Sequence, residues 1–344
     1  MKKIVNALFN IARKILNKPV YINLNIVSTN KCTQRCPMCN ASIDYKGPEF
    51  TLEIFKKYMK KLKKYRFLSC TISGGEPTLV KELPGIIHEA KKYFPFGVSL
   101  ITNLYGKNSL FYSNIDAALR ENINITVSFD GFGEVADKLR KAPNVSETVM
   151  QNIEYVNRKK KELNSKSGLT LHTVMSDKNI PQVEEIMDYA KKIGWSYTFS
   201  PVNNFFYQET DDPDVPRIHY SDDLKKLITR SLTEPHMKQS HKFLKGILYF
   251  VHGKSPKFCP YLKPVLKNYK VFLEPDGSVY LCDRMSLGTL DEKPLHKMFQ
   301  GEIYESIIEK YKKCPGCWHE CFVSPMLYPA LNKDVKKYSF EIEK

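Results

Sequence analysis

The chain contains no run of apolar residues long enough to span a bilayer, and no amino-terminal secretory signal with a small-residue cleavage site. It also lacks the cysteine spacing of a disulfide framework. Its nine cysteines fall into local groups at 32–39 and 314–321, with Cys259 and Cys282 between them and Cys70 alone in an apolar segment, where it reads as a core thiol. Groups with C-x2-C steps read as metal sites in a reducing compartment, so a cytoplasmic location is expected. Arginine-rich stretches with interleaved aromatics are missing too, so no nucleic-acid partner is expected despite a net charge of +16. The lysines, such as Lys56, Lys57, Lys60, Lys61, Lys63 and Lys64, follow helical spacing, as a solvated surface does. Low-complexity segments are absent. With 42% hydrophobic residues, 20 Tyr and 19 Phe in 344 positions, the chain can bury one large α/β domain and a smaller one.

What is present begins with a loop. Cys32, Cys36 and Cys39 form C-T-Q-R-C-P-M-C, a C-x3-C-x2-C spacing that brings three thiolates to one small volume. A cubane iron–sulfur cluster normally takes one thiolate on each of four irons, so three ligands leave one iron open. A structural zinc wants four ligands and usually paired C-x2-C steps, which this loop does not offer.

From residue 21 strand-like and helical patterns alternate. The strand-like runs are 21–28, 67–73, 97–102, 123–129, 169–175 and 196–200; helical patterns cover 52–65, 79–93, 109–121, 146–164 and 181–193. Six such β-α units imply parallel strands with right-handed crossovers, in an open or partial barrel with its chemistry at the carboxyl ends of the strands. The three-cysteine loop follows the first strand. Residues 201–256 read as a loop and then one helical stretch over 221–250, and a hairpin over 271–282 turns at Pro275-Asp276-Gly277. The expected division is an amphipathic helix at 1–20, the barrel at 21–200, a linker at 201–256, a small cysteine-bearing domain at 257–330 and a tail at 331–344.

The cysteine loop, with Gly74-Gly75-Glu76-Pro77 after the second strand, Ile101-Thr102-Asn103 ending the third and Ser128-Phe129-Asp130-Gly131 ending the fourth, resembles the radical S-adenosylmethionine (SAM) superfamily. Asp137 and Arg140 match its frequent D-x-x-R, and the resemblance covers about residues 21–200. It implies a partial (β/α)6 barrel, a [4Fe-4S] cluster on Cys32, Cys36 and Cys39, and SAM bound through the amine and carboxylate of its methionine part to the open iron. The glycines would let backbone approach SAM closely. A carbonyl or carboxylate of 74–77 would accept from its ammonium. Arg140 would pair with its carboxylate, while Ser128, Asp130 and Asn103 would bond the ribose. The family often has an aromatic residue just before the third cysteine; Met38 stands there and offers a polarizable contact to adenine without ring stacking.

Cys259, Cys282, Cys314, Cys317 and Cys321 resemble the auxiliary-cluster region of the SPASM and shorter "twitch" subfamilies. Five cysteines are too few for two fully ligated cubanes, so one auxiliary [4Fe-4S] cluster is implied. Cys259, Cys282, Cys314 and Cys317 are the preferred ligands. Cys321 is a substitute ligand or a free thiol able to donate a hydrogen atom, and a structural zinc is the alternative occupant. The resemblance implies an enzyme that is reduced by flavodoxin or ferredoxin, cleaves SAM to a 5′-deoxyadenosyl radical and abstracts hydrogen from a peptide, as in natural-product maturation. A small-molecule dehydrogenase acting on a carbohydrate or aminocyclitol is the alternative; a non-enzymatic iron–sulfur protein is a third. Residues 1–20 are too short for a leader-recognition domain. The substrate pocket is expected to include His172, Asn203 and Asn204. Within residues 1–18, Ile4, Leu8, Ile11 and Ile15 recur at helical spacing among Lys2, Lys3, Arg13, Lys14 and Lys18. Such a helix either docks on the protein's own barrel, the preferred expectation, or lies on an anionic membrane surface.

Overall fold

A computed structural model describes residues 2–39, 47–202, 214–263, 266–282, 285–327 and 340. The expected Asn203 and Asn204, with the rest of 203–213, and nearly all of the tail lie outside the described residues.

Six parallel strands, β1 Asn23–Val27, β2 Ser69–Ser73, β3 Val98–Thr102, β4 Asn124–Ser128, β5 Leu169–Met175 and β6 Ser196–Pro201, pair in chain order. Between them run α2 Leu52–Leu62, α3 Leu83–Ala90, α4 Ser109–Arg120, α5 Gly133–Arg140, α6 Val145–Glu162 and α7 Ile180–Lys192, after an amino-terminal α1 Lys2–Ile15. Two departures from the sequence expectation have plain causes. The helix expected from residue 79 starts at Leu83, because Glu76 caps a separate 3-10 turn, Pro77–Leu79, through its side chain. The short α5 is not in the sequence expectation because its eight residues make little more than two turns and begin at Gly133 in a glycine-bearing strand-end segment.

β5 shows how the sequence builds the barrel. Leu169, Leu171, Thr173 and Met175 are buried toward the helices, while Thr170, His172 and Val174 alternate with them and are only half-buried. β2 follows the same rule, with Cys70 and Ile72 buried and Ser69, Thr71 and Ser73 on the other face. A closed (β/α)8 barrel fills its interior with bulky branched side chains. Here the inner face is polar and bonded across strands: Asn23 Nδ2 donates to Ser69 Oγ and Thr71 Oγ1 (3.1 Å each), and Ser73 Oγ donates to Asn25 Oδ1 (2.5 Å). β6 and β1 do not pair, so the interior is an open, polar trough.

After β6 the single helix expected over 221–250 is two, α8 Asp222–Ser231 and α9 His241–Val251, each capped by a serine, Ser221 and Ser240. Pro235 lies in the break, where a helix cannot run on undisturbed. The hairpin is present as β7 Lys270–Leu273 and β8 Ser278–Tyr280, with Gly277 at φ +87° in its turn; β9 Ser286–Thr289 follows, then α10 Leu295–Met298, α11 Glu302–Lys313 and α12 Glu320–Leu327. The hairpin does not form a sheet of its own. β7 pairs in parallel with β1, giving one nine-stranded sheet in the order β6-β5-β4-β3-β2-β1-β7-β8-β9.

α1 docks on the amino-terminal end of the barrel through Phe9, Asn10 and Arg13. Asn10 is 5% exposed; its Oδ1 accepts from Tyr21 N (2.9 Å) and its Nδ2 donates to Arg66 O (3.3 Å). The docking expectation is met, and Ile4, Leu8, Ile11 and Ile15 are exposed.

Candidate active site and second cysteine group

The loop after β1 is knitted to the loops after β2, β3 and α5. Gly75 N donates to Thr29 O (2.6 Å) and Glu76 N to Lys31 O (2.8 Å), so the Gly74–Pro77 segment runs against the start of the cysteine loop. A Cβ on Gly74 would lie 2.2 Å from Thr29 O, and one on Gly75 would lie 2.1 Å from Lys31 O. The glycines are therefore needed for contact with the cysteine loop itself, not only for approach to a ligand.

Glu76 is 1% exposed, and its carboxylate accepts from four groups. Oε1 takes Thr78 N (3.0 Å), Thr78 Oγ1 (2.7 Å) and Thr102 Oγ1 (2.7 Å); Oε2 takes Asn103 N (2.7 Å). Burial raises its pKa and these bonds lower it. The carboxylate clamps the end of β2 to the end of β3. The carboxylate, one of the two acceptors expected for a SAM ammonium, is thus engaged within the protein. Pro77 is buried in the turn that follows.

Asn103 reaches the first cysteine. Its Nδ2 donates to Thr33 Oγ1 (3.0 Å) and lies 3.7 Å from Cys32 Sγ, while Oδ1 accepts from Tyr105 N (2.9 Å). Arg140 reaches the second: Nη1 is 3.9 Å from Cys36 Sγ, and Arg140 O accepts from Arg35 N (3.1 Å). Its Nη2 is 2.5 Å from Asp130 Oδ2, and Asp130 Oδ1 accepts from Val174 N (2.8 Å). Arg140 and Asp130, expected at a SAM carboxylate and a ribose, pair with each other here. A buried carboxylate held by a guanidinium and a backbone N–H is an internal brace. Asp137 accepts from Asn144 N (2.9 Å) and Val145 N (2.7 Å), capping α6. Ser128 ends β4 half-buried on the inner face, opposite His172 in the strand register. Met38 packs half-buried against the core.

The donor set fits a cluster. Burial pushes the Cys32 thiol up to about 11, lowered in part by a backbone bond from Gln34, and burial raises Cys36 against the pull of Arg140. Such sulfurs lose their protons when iron takes the proton's place. Gln34 is 1% exposed, its Oε1 lies 4.0 Å from Cys36 Sγ, and its Nε2 has no acceptor among the described residues. Turning that amide over would aim an N–H at a deprotonated Cys36 sulfur.

In the second group Cys259, Cys282, Cys314 and Cys317 line one cavity, with Tyr261 and Tyr311. Cys321 is exposed and does not line it, though it lies near enough to Cys317 and Tyr261 to act on them electrostatically. Tyr311 fixes Cys282: its hydroxyl accepts from Cys282 N (3.1 Å) and donates to Cys282 O (3.2 Å). Tyr261 Oη lies 3.1 Å from Lys270 O and 2.9 Å from Leu281 O, tying the cavity to β7. Trp318, next to Cys317, is 1% exposed and donates to Phe243 O (3.0 Å). Among the described residues no three His, Cys, Asp or Glu side chains close to the spacing of a single ion; a cubane, with one thiolate on each iron, asks for a wider cage.

The inner face of β5 and β6 carries His172, which feels residues beside both groups, His319 next to Cys317 and Arg140 next to Cys36. His172 Nδ1 is 2.9 Å from Thr198 Oγ1. Burial, then the charges of His319 and Arg140, bring its pKa down to about 4. His319 falls to about 4 through burial and Lys270, and Glu320 rises to about 7 through burial while Gln239 Nε2 donates to it (3.1 Å). His319, Glu320 and Lys270 were missed from sequence; the available signal was the adjacency of Trp318-His319-Glu320 to the C-x2-C step.

Residues 26–205 match the radical SAM superfamily, and residues 265–321 match SPASM, an iron–sulfur cluster-binding domain. The chain belongs to the radical SAM superfamily and carries a carboxyl-terminal SPASM domain. Membership brings a [4Fe-4S] cluster and SAM as cofactors, and the SPASM domain an auxiliary iron–sulfur centre. The chain is 29% identical over 177 residues to PqqA peptide cyclase of Bradyrhizobium diazoefficiens, 49% of this chain and 42% of that one. It is 28% identical over 182 residues to 7,8-dihydro-6-hydroxymethylpterin dimethyltransferase of Methanocaldococcus jannaschii, 51% of this chain and 34% of that one. The matches thus span less than half the length of either relative. The fold is similar to that of Streptococcus suis SuiB, crystallised bound to the precursor peptide SuiA, with a TM-score of 0.62 and 15% identity, covering 88% of this chain and 70% of that one.

Proposed function

We propose that the protein is a radical SAM enzyme that modifies a peptide. When bound and reduced, the cluster supplies the electron that splits SAM into methionine and a 5′-deoxyadenosyl radical able to take hydrogen from an unactivated C–H bond. The observation that carries the reading is the bracing of a three-thiol loop by three segments, through Gly75 and Glu76, Asn103, and Arg140, at the mouth of an open polar trough. Cys32, Cys36 and Cys39 hold the cluster, and no fourth cysteine belongs to this loop. The backbone carbonyls of 74–77 and the side chain of Ser128 orient SAM, and Met38 covers its adenine. Arg140 and Asn103 lower the negative charge on two thiolate sulfurs. Cys259, Cys282, Cys314 and Cys317 hold the auxiliary cluster. Flavodoxin or ferredoxin is the reductant. The trough face with Thr170, His172 and Thr198 orients the substrate and shields it from bulk water.

Peptide substrates are supported by the likeness to PqqA peptide cyclase and by the fold shared with SuiB. A small-molecule substrate is the second reading, favoured by the comparable match to the pterin dimethyltransferase and by the hydroxyl-rich trough. The test uses reconstituted protein, SAM, dithionite and the product of any short open reading frame beside the gene, followed by peptide mass spectrometry. A SAM-dependent mass change supports the peptide reading. An unchanged peptide, with SAM cleavage stimulated instead by a hydroxylated small molecule, overturns it.

A further inference from the structure

Ten large hydrophobic side chains stand exposed among the described residues, and six of them, Ile4, Val5, Leu8, Ile11, Ile15 and Leu16, belong to α1 or the residue after it. Ile4, Leu8, Ile11 and Ile15 form one helical stripe, with exposures of 64%, 58%, 51% and 77%. An amphipathic helix on a soluble core turns its apolar stripe inward. This helix does the reverse and is pinned in that pose. Asn10 bonds to Tyr21 N and Arg66 O, the Arg13 guanidinium sits 4.8 Å from the centre of the Tyr21 ring, and Arg66 sits 5.1 Å from that of Phe9.

The charge around the stripe selects what covers it. Residues 1–43 contain no Asp or Glu. Lys14, Lys18, Lys63 and Lys64 are exposed and have no carboxylate partner among the described residues. The groove between α1 and the barrel has an apolar floor that includes Phe9, Leu24 and Phe94 and a rim of Lys63, Lys64 and Arg66. An apolar stripe flanked by Lys14 and Lys18, beside a groove rimmed by Lys63, Lys64 and Arg66, matches an anionic lipid surface, where acyl chains take the stripe and headgroups take the lysines. Phe96, 54% exposed, lies at the same end of the barrel, just before β3. A second copy of the chain would face the same cations with its own.

We propose that α1 and the amino-terminal end of the barrel form a docking surface for a bilayer bearing anionic headgroups. The cysteine loop follows the carboxyl end of β1, so a protein docked this way keeps its trough turned from the membrane.

The test is sedimentation of full-length protein with vesicles of phosphatidylcholine alone or mixed with phosphatidylglycerol, at low and high salt, alongside sedimentation equilibrium without lipid. The expected result is binding to the anionic vesicles, weakened by salt and by about fivefold for each of K14E and K18E, and abolished in L8E/I11E. That variant keeps its circular dichroism and iron content, because both side chains are exposed. The absence of binding to anionic vesicles, equal binding to neutral ones, or a wild-type dimer that L8E/I11E converts to monomer would each overturn the proposal.

Discussion

Arg140 Nη1 lies 3.9 Å from Cys36 Sγ, and the carbonyl of the same arginine holds the N–H of Arg35 in the same loop. One residue at the end of α5 thus sets both the backbone and the charge at the middle cysteine. Its other partner, Asp130, has a side chain with no exposed surface.

Arg140→Ala removes one half of a buried ion pair and leaves Asp130 without its guanidinium, which typically costs about 3–5 kcal/mol. We expect a lower denaturation midpoint and poor retention of the first cluster, read by iron content. D130N/R140A should recover part of the stability, because the uncompensated carboxylate is gone, but not the cluster, because the contact to Cys36 is still lost.

Gly75→Ala puts a Cβ 2.1 Å from Lys31 O. Backbone must shift on one side, at about 1–3 kcal/mol for an overpacked site. The displaced part is the cysteine loop, so absorption from the first cluster should fall more than stability does. Ultraviolet–visible spectra and chemical denaturation of the same sample check this.

Gly246→Ala acts on the other centre. Its Cβ would lie 2.0 Å from Trp318 Cζ2, and Trp318 follows Cys317 directly. The expected outcome is loss of about four irons, one cubane, with the first cluster retained. Mössbauer spectra separate the two populations.

His172 is held at about 4, below its ordinary 6.5, by burial with His319 and Arg140 facing it. A base depressed in the folded state binds fewer protons there than in the unfolded chain. Its contribution to stability is therefore full above about pH 6.5 and lost as pH falls through 4. His172→Gln should flatten that acid limb of the stability curve, and the imidazole of the wild type should titrate near pH 4 by NMR.

The sequence made much of this legible. Six strands and the cysteine loop were placed by periodicity and by spacing, since buried parallel strands and C-x3-C-x2-C are local signals. Two things were not legible because they depend on side chains far apart in the chain. One is the mutual use of Asp130 and Arg140 and the four bonds that occupy Glu76; a motif names such residues but does not say whether their charges face a ligand or each other. The other is the pairing of β7 with β1, which makes β1 the common support of both cysteine groups: Val27 leads into the first, and β7 and β8 lead to Cys282. The orientation of α1 was legible only in part, since its stripe is clear in the sequence while the buried Asn10 that turns it outward is not.

The most direct test is anaerobic incubation of reconstituted protein with SAM and dithionite, followed by chromatography for 5′-deoxyadenosine. The wild type should form it, and the Cys32, Cys36 and Cys39 to Ala triple variant should form none while keeping the irons of the second group. A wild-type protein that binds its iron but yields no 5′-deoxyadenosine, or a triple variant that still yields it, would contradict the assignment of radical initiation to this loop.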